Sequence, residues 1–216
     1  MAVRPVFVVS QTIPFYKECE VEFKYNGGFA ATQKQKNIKA IHEGYILKSP
    51  GAKILEISSK SLQSEGVLLS AFNLLKFVPA IDKSIPVENV FQGSKVFSLG
   101  GPYTDLYHKT PRDAKRDERL RNSGPLMCFR FTDEVFPLNP KTAFYDWIYI
   151  NALLENPALC EKITEYDAFT DVEFNPNKSI NCQARAAAIF VSLKMSGELE
   201  KIKTFNDFLN ITYGVK

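Results

Sequence analysis

The sequence is short of the residues on which metal and cofactor chemistry usually depends. It holds two histidines, His42 and His108, and four cysteines, Cys19, Cys128, Cys160 and Cys182. No cysteines stand at C-x-x-C spacing and no cysteine–histidine cluster forms, which argues against a structural zinc site. Isolated cysteines in a chain of 216 residues fit a reducing compartment. P-loop, G-x-G-x-x-G and G-x-S-x-G patterns are all missing, which weakens NTPase, kinase, dehydrogenase and hydrolase-elbow readings. The expectation is therefore no metal and no cofactor. No apolar run approaches the roughly 18 residues that cross a bilayer. The run Val6–Val9 is far too short for the apolar part of a signal peptide. These absences point to a cytoplasmic protein with no membrane partner. Excess charge is lacking too: 27 Lys and Arg against 24 Asp and Glu leave +3. That balance does not announce a nucleic-acid binder, although a local basic patch can serve.

What is present describes a packed domain. A hydrophobic fraction of 45% with 24% charged residues is ordinary for a globular chain. A chain of this size buries roughly 70% of its unfolded surface, so one core suffices. No repeat, low-complexity tract or linker divides the sequence, and a single domain over 1–216 is expected. Val6–Val9 is a β-branched run. In Cys19–Tyr25, Val21 and Phe23 alternate with Glu20, Glu22 and Lys24, the pattern of a half-buried strand ended by Asn26-Gly27-Gly28. Ala31–Leu47 reads as a helix with lysines on one side, and Lys53–Ile57 as a strand.

Helix signals dominate the remainder. Ser84 with Pro86 opens a helix to about Phe97, ended by Gly100-Gly101-Pro102. Thr110-Pro111-Arg112-Asp113 combines an N-cap, a first-turn proline and an acid, and that helix stops by Asn122–Pro125. Asn139-Pro140 opens another. Asn156-Pro157 stops that one and starts the next. Ser179–Leu193 holds an alanine-rich helix, and Thr204–Asp207 repeats the capping pattern. The fold class expected is α+β, helix-dominated, with a few strands near the N-terminus.

Three segments carry candidate chemistry. Glu88, Gln92 and Lys95, at i, i+4 and i+7, share one stripe of the expected helix. Such a stripe is either a solvated face or the lining of a cleft, where a carboxylate acts as acid or base and a lysine binds anions or attacks a sugar carbon. Lys109–Arg121 is a mixed-charge helix whose Arg112, Lys115 and Arg116 offer a phosphate or nucleic-acid face. Asp171 and Glu173, before a turn ending at Pro176, are a strand end or the paired acids that glycosidic chemistry uses. The tryptophan of the chain, Trp147, lies among aromatics that read as core, or it stacks on a base.

Four segments in order resemble the NADAR family. Leu69-Ser70-Ala71-Phe72-Asn73-Leu74 is similar to its "LSNF" motif. Val87–Lys95 is similar to its "SEhxyQxxK" segment, Thr110–Arg116 to "SPxxAKxxGR", and Leu154–Leu159 to the "KFxQNPxL" helix end. The match spans about Ile54 to Arg185. The family's closing acid-and-tryptophan segment is replaced here by Asp171–Pro176 and Lys178–Arg185. Phe29–Lys36, Ile54–Lys60, Gly100–Tyr107 and Tyr166–Asp171 resemble the subgroup found beside DarT toxins, which attach ADP-ribose to guanine in DNA. The first fifty residues are a subgroup-specific portion of the domain.

The resemblance implies an antitoxin that hydrolyses the N-glycosidic bond between ADP-ribose and guanine in DNA, releasing ADP-ribose, with a DarT-type toxin as partner. Glu88 is then the carboxylate beside the cation-like sugar. Lys95 stabilises an oxygen or forms a Schiff base with the ring-opened ribose. Arg112, Lys115 and Arg116 hold pyrophosphate or DNA backbone, Ser70 and Asn73 bind ribose hydroxyls, Gln92 and Trp147 contact substrate, and Asp171 or Glu173 is the second acid. Two alternatives stay open: an N-glycosidase on riboflavin-pathway ribosyl phosphates, and an antitoxin that only sequesters its toxin.

Overall fold

A computed structural model describes residues 1–177 and 179–215. Lys178, which opens the segment expected to replace the family's closing motif, lies outside the described residues. In chain order the strands are β1 (Ala2–Val9), β2 (Tyr16–Phe23), β3 (Ile54–Glu56), β4 (Leu75–Val78), β5 (Lys83–Pro86), β6 (Lys95–Phe97), β7 (Leu126–Phe131), β8 (Glu134–Phe136) and β9 (Ala168–Thr170). The α-helices are α1 (Ala31–Lys48), α2 (Ser64–Leu68), α3 (Val87–Gly93), α4 (Pro111–Arg116), α5 (Arg119–Asn122), α6 (Ala143–Leu154), α7 (Pro157–Lys162), α8 (Gln183–Met195) and α9 (Phe205–Tyr213). Helix and sheet are mixed along the chain. The expectation of strands only near the N-terminus is corrected, because β4 to β9 all follow residue 70. Most of these are three or four residues long, too short for alternation to register against the apolar background.

Contacts divide the chain into two compact units, Met1–Ser70 with Ala158–Lys216, and Ala71–Pro157. The first is built on a four-stranded sheet in the order β2-β1-β9-β3. β1 pairs antiparallel with both β2 and β9, and β3 runs parallel to β9. Val21 and Phe23 are buried while Glu20 and Glu22 are exposed, as the alternation of β2 requires. α1 packs on β2 and buries Ile38, Ile41 and Tyr45, of which Ile41 and Tyr45 join Val6, Val21, Phe23, Ile54 and Ala168 in one core. α8 packs on β1 and β9; alanines at 184 and 186–188, all fully buried, let its backbone come close. The capping box expected at the last helix is present, with Thr204 Oγ1 accepting from Asp207 N and Asp207 accepting from Thr204 N.

The second unit holds the hairpin β4-β5 and the antiparallel sheet β6-β7-β8. α3 packs against α4, α6 and the hairpin. Its core is aromatic: Phe91 lies 5.4 Å from Phe129 and 5.1 Å from Tyr145, and Phe144 stacks on Phe129 at 4.5 Å. Such pairs add roughly 0.5–1.5 kcal/mol each beyond their area burial. The apolar helix Ala143–Leu154 that supplies Phe144 and Tyr145 ends, as expected, before Asn156-Pro157.

Helix boundaries in this unit differ from expectation. Ser84 and Pro86 belong to β5, where Ser84 pairs with Phe77, and the helix starts only at Val87. It stops at Gly93, not Phe97, because Lys95–Phe97 pairs with β7 some thirty residues downstream. A methyl on Gly93 would stand 2.4 Å from the Tyr107 ring. Ser94 donates to the carbonyl of Val90 at 2.7 Å and closes the last turn. Thr110 caps α4 as expected, but the helix breaks at Asp117, whose carboxylate accepts from Arg119 N at 3.1 Å and Arg119 Nε at 2.8 Å. Arg119 and Lys109 hold that carboxyl well below the usual range. Asn139-Pro140 forms a turn, with Ala143 N donating to Pro140 O, and the helix begins after it.

Candidate active site

The site is assembled at α3 in the second unit. The first backbone N–H groups of a helix lack partners within it. Here loop carbonyls take the place of a side-chain cap: Val87 N donates to Leu74 O and Glu88 N to Ala71 O, both at 2.9 Å. The segment Ala71–Leu74, the last four residues of the first family-like motif, therefore fixes where the second motif begins. Every residue from Val87 to Gly93 is buried, including Glu88, 4% exposed, and Gln92, 6% exposed.

Glu88, Gln92 and Lys95 form a continuous chain. Gln92 Nε2 donates to Glu88 Oε1 at 2.7 Å, and Lys95 Nζ donates to Gln92 Oε1 at 2.7 Å. The orientation of the amide follows from chemistry, since a carboxylate only accepts and an ammonium only donates. Glu88 and Gln92 are one helical turn apart, as the spacing required. Lys95 reaches them from β6, not from a continued helix, so the expected stripe is real but its last member arrives by another route. Gly101 lets the chain close on this strand; a methyl there would stand 2.3 Å from the Lys95 carbonyl oxygen.

Two aromatic rings flank the lysines. Lys95 Nζ stands 4.6 Å from the centroid of Phe91, and Lys115 Nζ 5.4 Å from that of Phe72. Lys115 comes from α4, its Nζ 3.6 Å from Glu88 Oε2, with most of its side chain open to solvent. α4 is held in place by Asn89, whose Nδ2 donates to Leu106 O and Lys109 O, each at 2.8 Å, just ahead of the Thr110 cap. Burial drives the Lys95 ammonium down to a pKa of about 8. Glu88 opposes that shift and Lys115 adds to it. A pKa near 8 leaves roughly a quarter of the amine neutral at about pH 7.5. Glu88 is thus a buried carboxylate wired to a partly neutral lysine, a set able to move protons and to attack an electrophilic carbon.

The remaining expected residues fall in several places. Arg112 and Arg116 are exposed on α4, at i and i+4, one on each side of Lys115 in sequence. Asn73 is exposed, one residue after Phe72, and Trp147 is partly buried on α6. Ser70, Asp171 and Glu173 belong to the first unit. There Asp171 Oδ1 accepts from Glu173 N at 3.0 Å, and the exposed Glu173 pairs with Lys34 at 3.1 Å.

Two buried acids were not singled out in the sequence. Asp146 in α6 and Glu56 in β3 are both fully buried. Each was visible as one charge inside an apolar run, and that is the signal that marks them. Glu56 accepts from Thr170 Oγ1 at 2.6 Å and Val172 N at 2.8 Å, and so holds a hydroxyl before Asp171 and a backbone N–H after it. His42 Nε2 lies 2.9 Å from Thr170 Oγ1 and completes the network. Burial raises the Glu56 carboxyl above its usual range and lowers His42 to a pKa of about 4. Among the described residues, no group of three or more His, Cys, Asp or Glu is placed to hold a metal, and no helix is long and apolar enough to cross a membrane.

A family model described as the DarT1-associated NADAR antitoxin matches residues 2–216. The chain belongs to this family. The match takes in the first fifty residues as well as the segments around Glu88, so the subgroup extends over the whole chain. A comparison with curated proteins finds no match.

Proposed function

We propose that this antitoxin is an enzyme that removes ADP-ribose from guanine in DNA by cleaving the N-glycosidic bond. The observation that carries the reading is the buried Glu88–Gln92–Lys95 chain with Lys115 beside Glu88. A sequestering antitoxin has no need of a buried carboxylate linked through an amide to a lysine whose pKa is lowered.

The residues suggest this sequence of events. Lys95 as the neutral amine adds to the anomeric carbon of the ring-opened distal ribose. The bond from that carbon to the base nitrogen breaks and its electron pair stays on the nitrogen, while the Glu88 carboxylate takes the proton that the lysine nitrogen loses on forming the imine and passes it to the departing base nitrogen. Water then hydrolyses the lysine imine to ADP-ribose and the free amine. Gln92 holds the two reacting groups in register. Lys115, Arg112 and Arg116, clustered within five residues of α4, form a cationic surface for the pyrophosphate or the DNA backbone. Asn73 and Trp147, in the same unit as Glu88, are assigned to ribose and base contacts; Ser70, Asp171 and Glu173 belong to the first unit and are given no step.

The test is hydrolysis of a guanine-ADP-ribosylated oligonucleotide by wild type, Glu88→Gln and Lys95→Ala. Wild type should release ADP-ribose, and both variants should lose at least about a hundredfold in rate. Borohydride added during turnover should trap ADP-ribose on wild type and not on Lys95→Ala. Near-wild-type turnover by Glu88→Gln would remove that residue from the mechanism.

A further inference from the structure

The first unit carries a surface that the site does not use. β2 ends in the loop Lys24–Ala30, which leads into α1. The loop is pinned by Asn37, a residue only 1% exposed. Its Oδ1 accepts from Asn26 N at 2.7 Å and Asn26 Nδ2 at 3.2 Å, and its Nδ2 donates to Asn26 O at 3.0 Å. From this anchored turn Phe29 projects with 98% of its surface in water and Tyr25 with 50%. The Tyr25 ring stands edge-on to the buried Phe23, with centroids 6.4 Å apart, and so keeps its own position.

Within the segment itself the charge is of one sign, bounded by Glu22 and Glu43. From Phe23 to His42 the chain has four lysines, Lys24, Lys34, Lys36 and Lys39, and no acid. Lys34 is neutralised by Glu173 at 3.1 Å. Lys24, Lys36 and Lys39 are exposed and have no acidic partner among the described residues. Lys36 and Lys39, at i and i+3, share the outward face of α1, away from Ile38, Ile41 and Tyr45. An exposed ring with cations that lack acidic partners near it in the chain is the composition of a base-stacking platform with a phosphate track.

We propose that Phe29, supported by Tyr25, Lys36 and Lys39, binds unpaired DNA by stacking on a base while the lysines contact the adjoining phosphates. The inference rests on the reading that the substrate is DNA and names a place on the first unit where unpaired strand is held. Access to a modified base in a duplex requires local opening, so unpaired nucleotides are available when the enzyme acts.

The experiment measures anisotropy of a labelled, unmodified oligothymidylate of about 15 nucleotides, within the range such surfaces bind. Full-length wild type, Phe29→Ala, Phe29→Trp and a Lys36→Ala/Lys39→Ala double variant are compared across salt concentrations. Phe29→Ala should weaken binding about fivefold or more, and Phe29→Trp should restore it. The double variant should lower the log–log salt slope by about 1.4, roughly 0.7 for each phosphate that a lysine no longer neutralises. A ring this exposed is not part of the core, so the melting temperature of Phe29→Ala should match wild type. Equal binding by wild type and Phe29→Ala, or no binding by wild type, overturns the proposal. Loss of toxin association in Phe29→Ala with unchanged oligonucleotide binding reassigns the surface to a protein. Glu88→Gln separates this from the activity: it should bind the unmodified strand as wild type does. If wild type binds through Phe29 yet releases no ADP-ribose, the surface stands and the activity reading fails.

Discussion

Lys95 sets stability against function, and the conflict can be measured. An ordinary lysine titrates near 10.5, and burial lowers Lys95 to about 8. The unfolded chain therefore binds more protons than the folded one between those values, and stability rises with pH across that window. Integrating the difference gives a cost of about 3 kcal/mol at about pH 7, about 2 at about pH 9 and below about 1 at about pH 10. Lys95→Met keeps much of the length of the side chain and removes the charge. It forfeits the bond to Gln92 Oε1 and the cation–ring attraction to Phe91, together worth about 1–2 kcal/mol. The variant should therefore be more stable than wild type at about pH 7 by roughly 1–2 kcal/mol, an advantage that disappears or reverses by about pH 10. Denaturant titration at several pH values reads this directly, with turnover abolished throughout. A stability difference that does not change with pH, or a variant less stable at about pH 7 than at about pH 10 relative to wild type, would refute the assignment of Lys95 as a buried cation.

Other consequences follow from the same site. The rate of ADP-ribose release should rise with pH through about 8 as Lys95 loses its proton. In Lys115→Ala that rise should move to higher pH, because the neighbouring cation that helps depress Lys95 is gone; a pH profile of kcat/KM checks the direction. Gly93→Ala should destabilise the protein by about 1–3 kcal/mol in a thermal melt, since its methyl would meet the Tyr107 ring. Turnover should persist in excess chelator, because the proposed chemistry uses no divalent ion; strict dependence on an added metal would displace the mechanism.

Pattern in the sequence settled the elements that interact with their own neighbours. The alternation of β2, the buried stripe of α1, the alanine helix α8 and the caps at Thr110 and Thr204 each depend on residues within a few turns. The family-like segments could be read for the same reason, since each motif is local, and they named Glu88, Gln92 and Lys95 together. What pairing and packing decided was how those three meet. Ser84 joins a strand because Phe77 lies opposite, and Lys95 leaves the helix because β7 pairs with it. Phe72 becomes the ring beside Lys115 only after distant segments fold together, whereas Phe91 and Lys95 are four residues apart. The electrostatics are tertiary in the same sense: the low pKa of Lys95 comes from what surrounds it, not from its neighbours in sequence. Glu56 and Asp146 show the limit most clearly. An acid in an apolar run signals burial, but only the folded sheet reveals that Glu56 holds the Thr170 hydroxyl and the Val172 N–H on either side of Asp171.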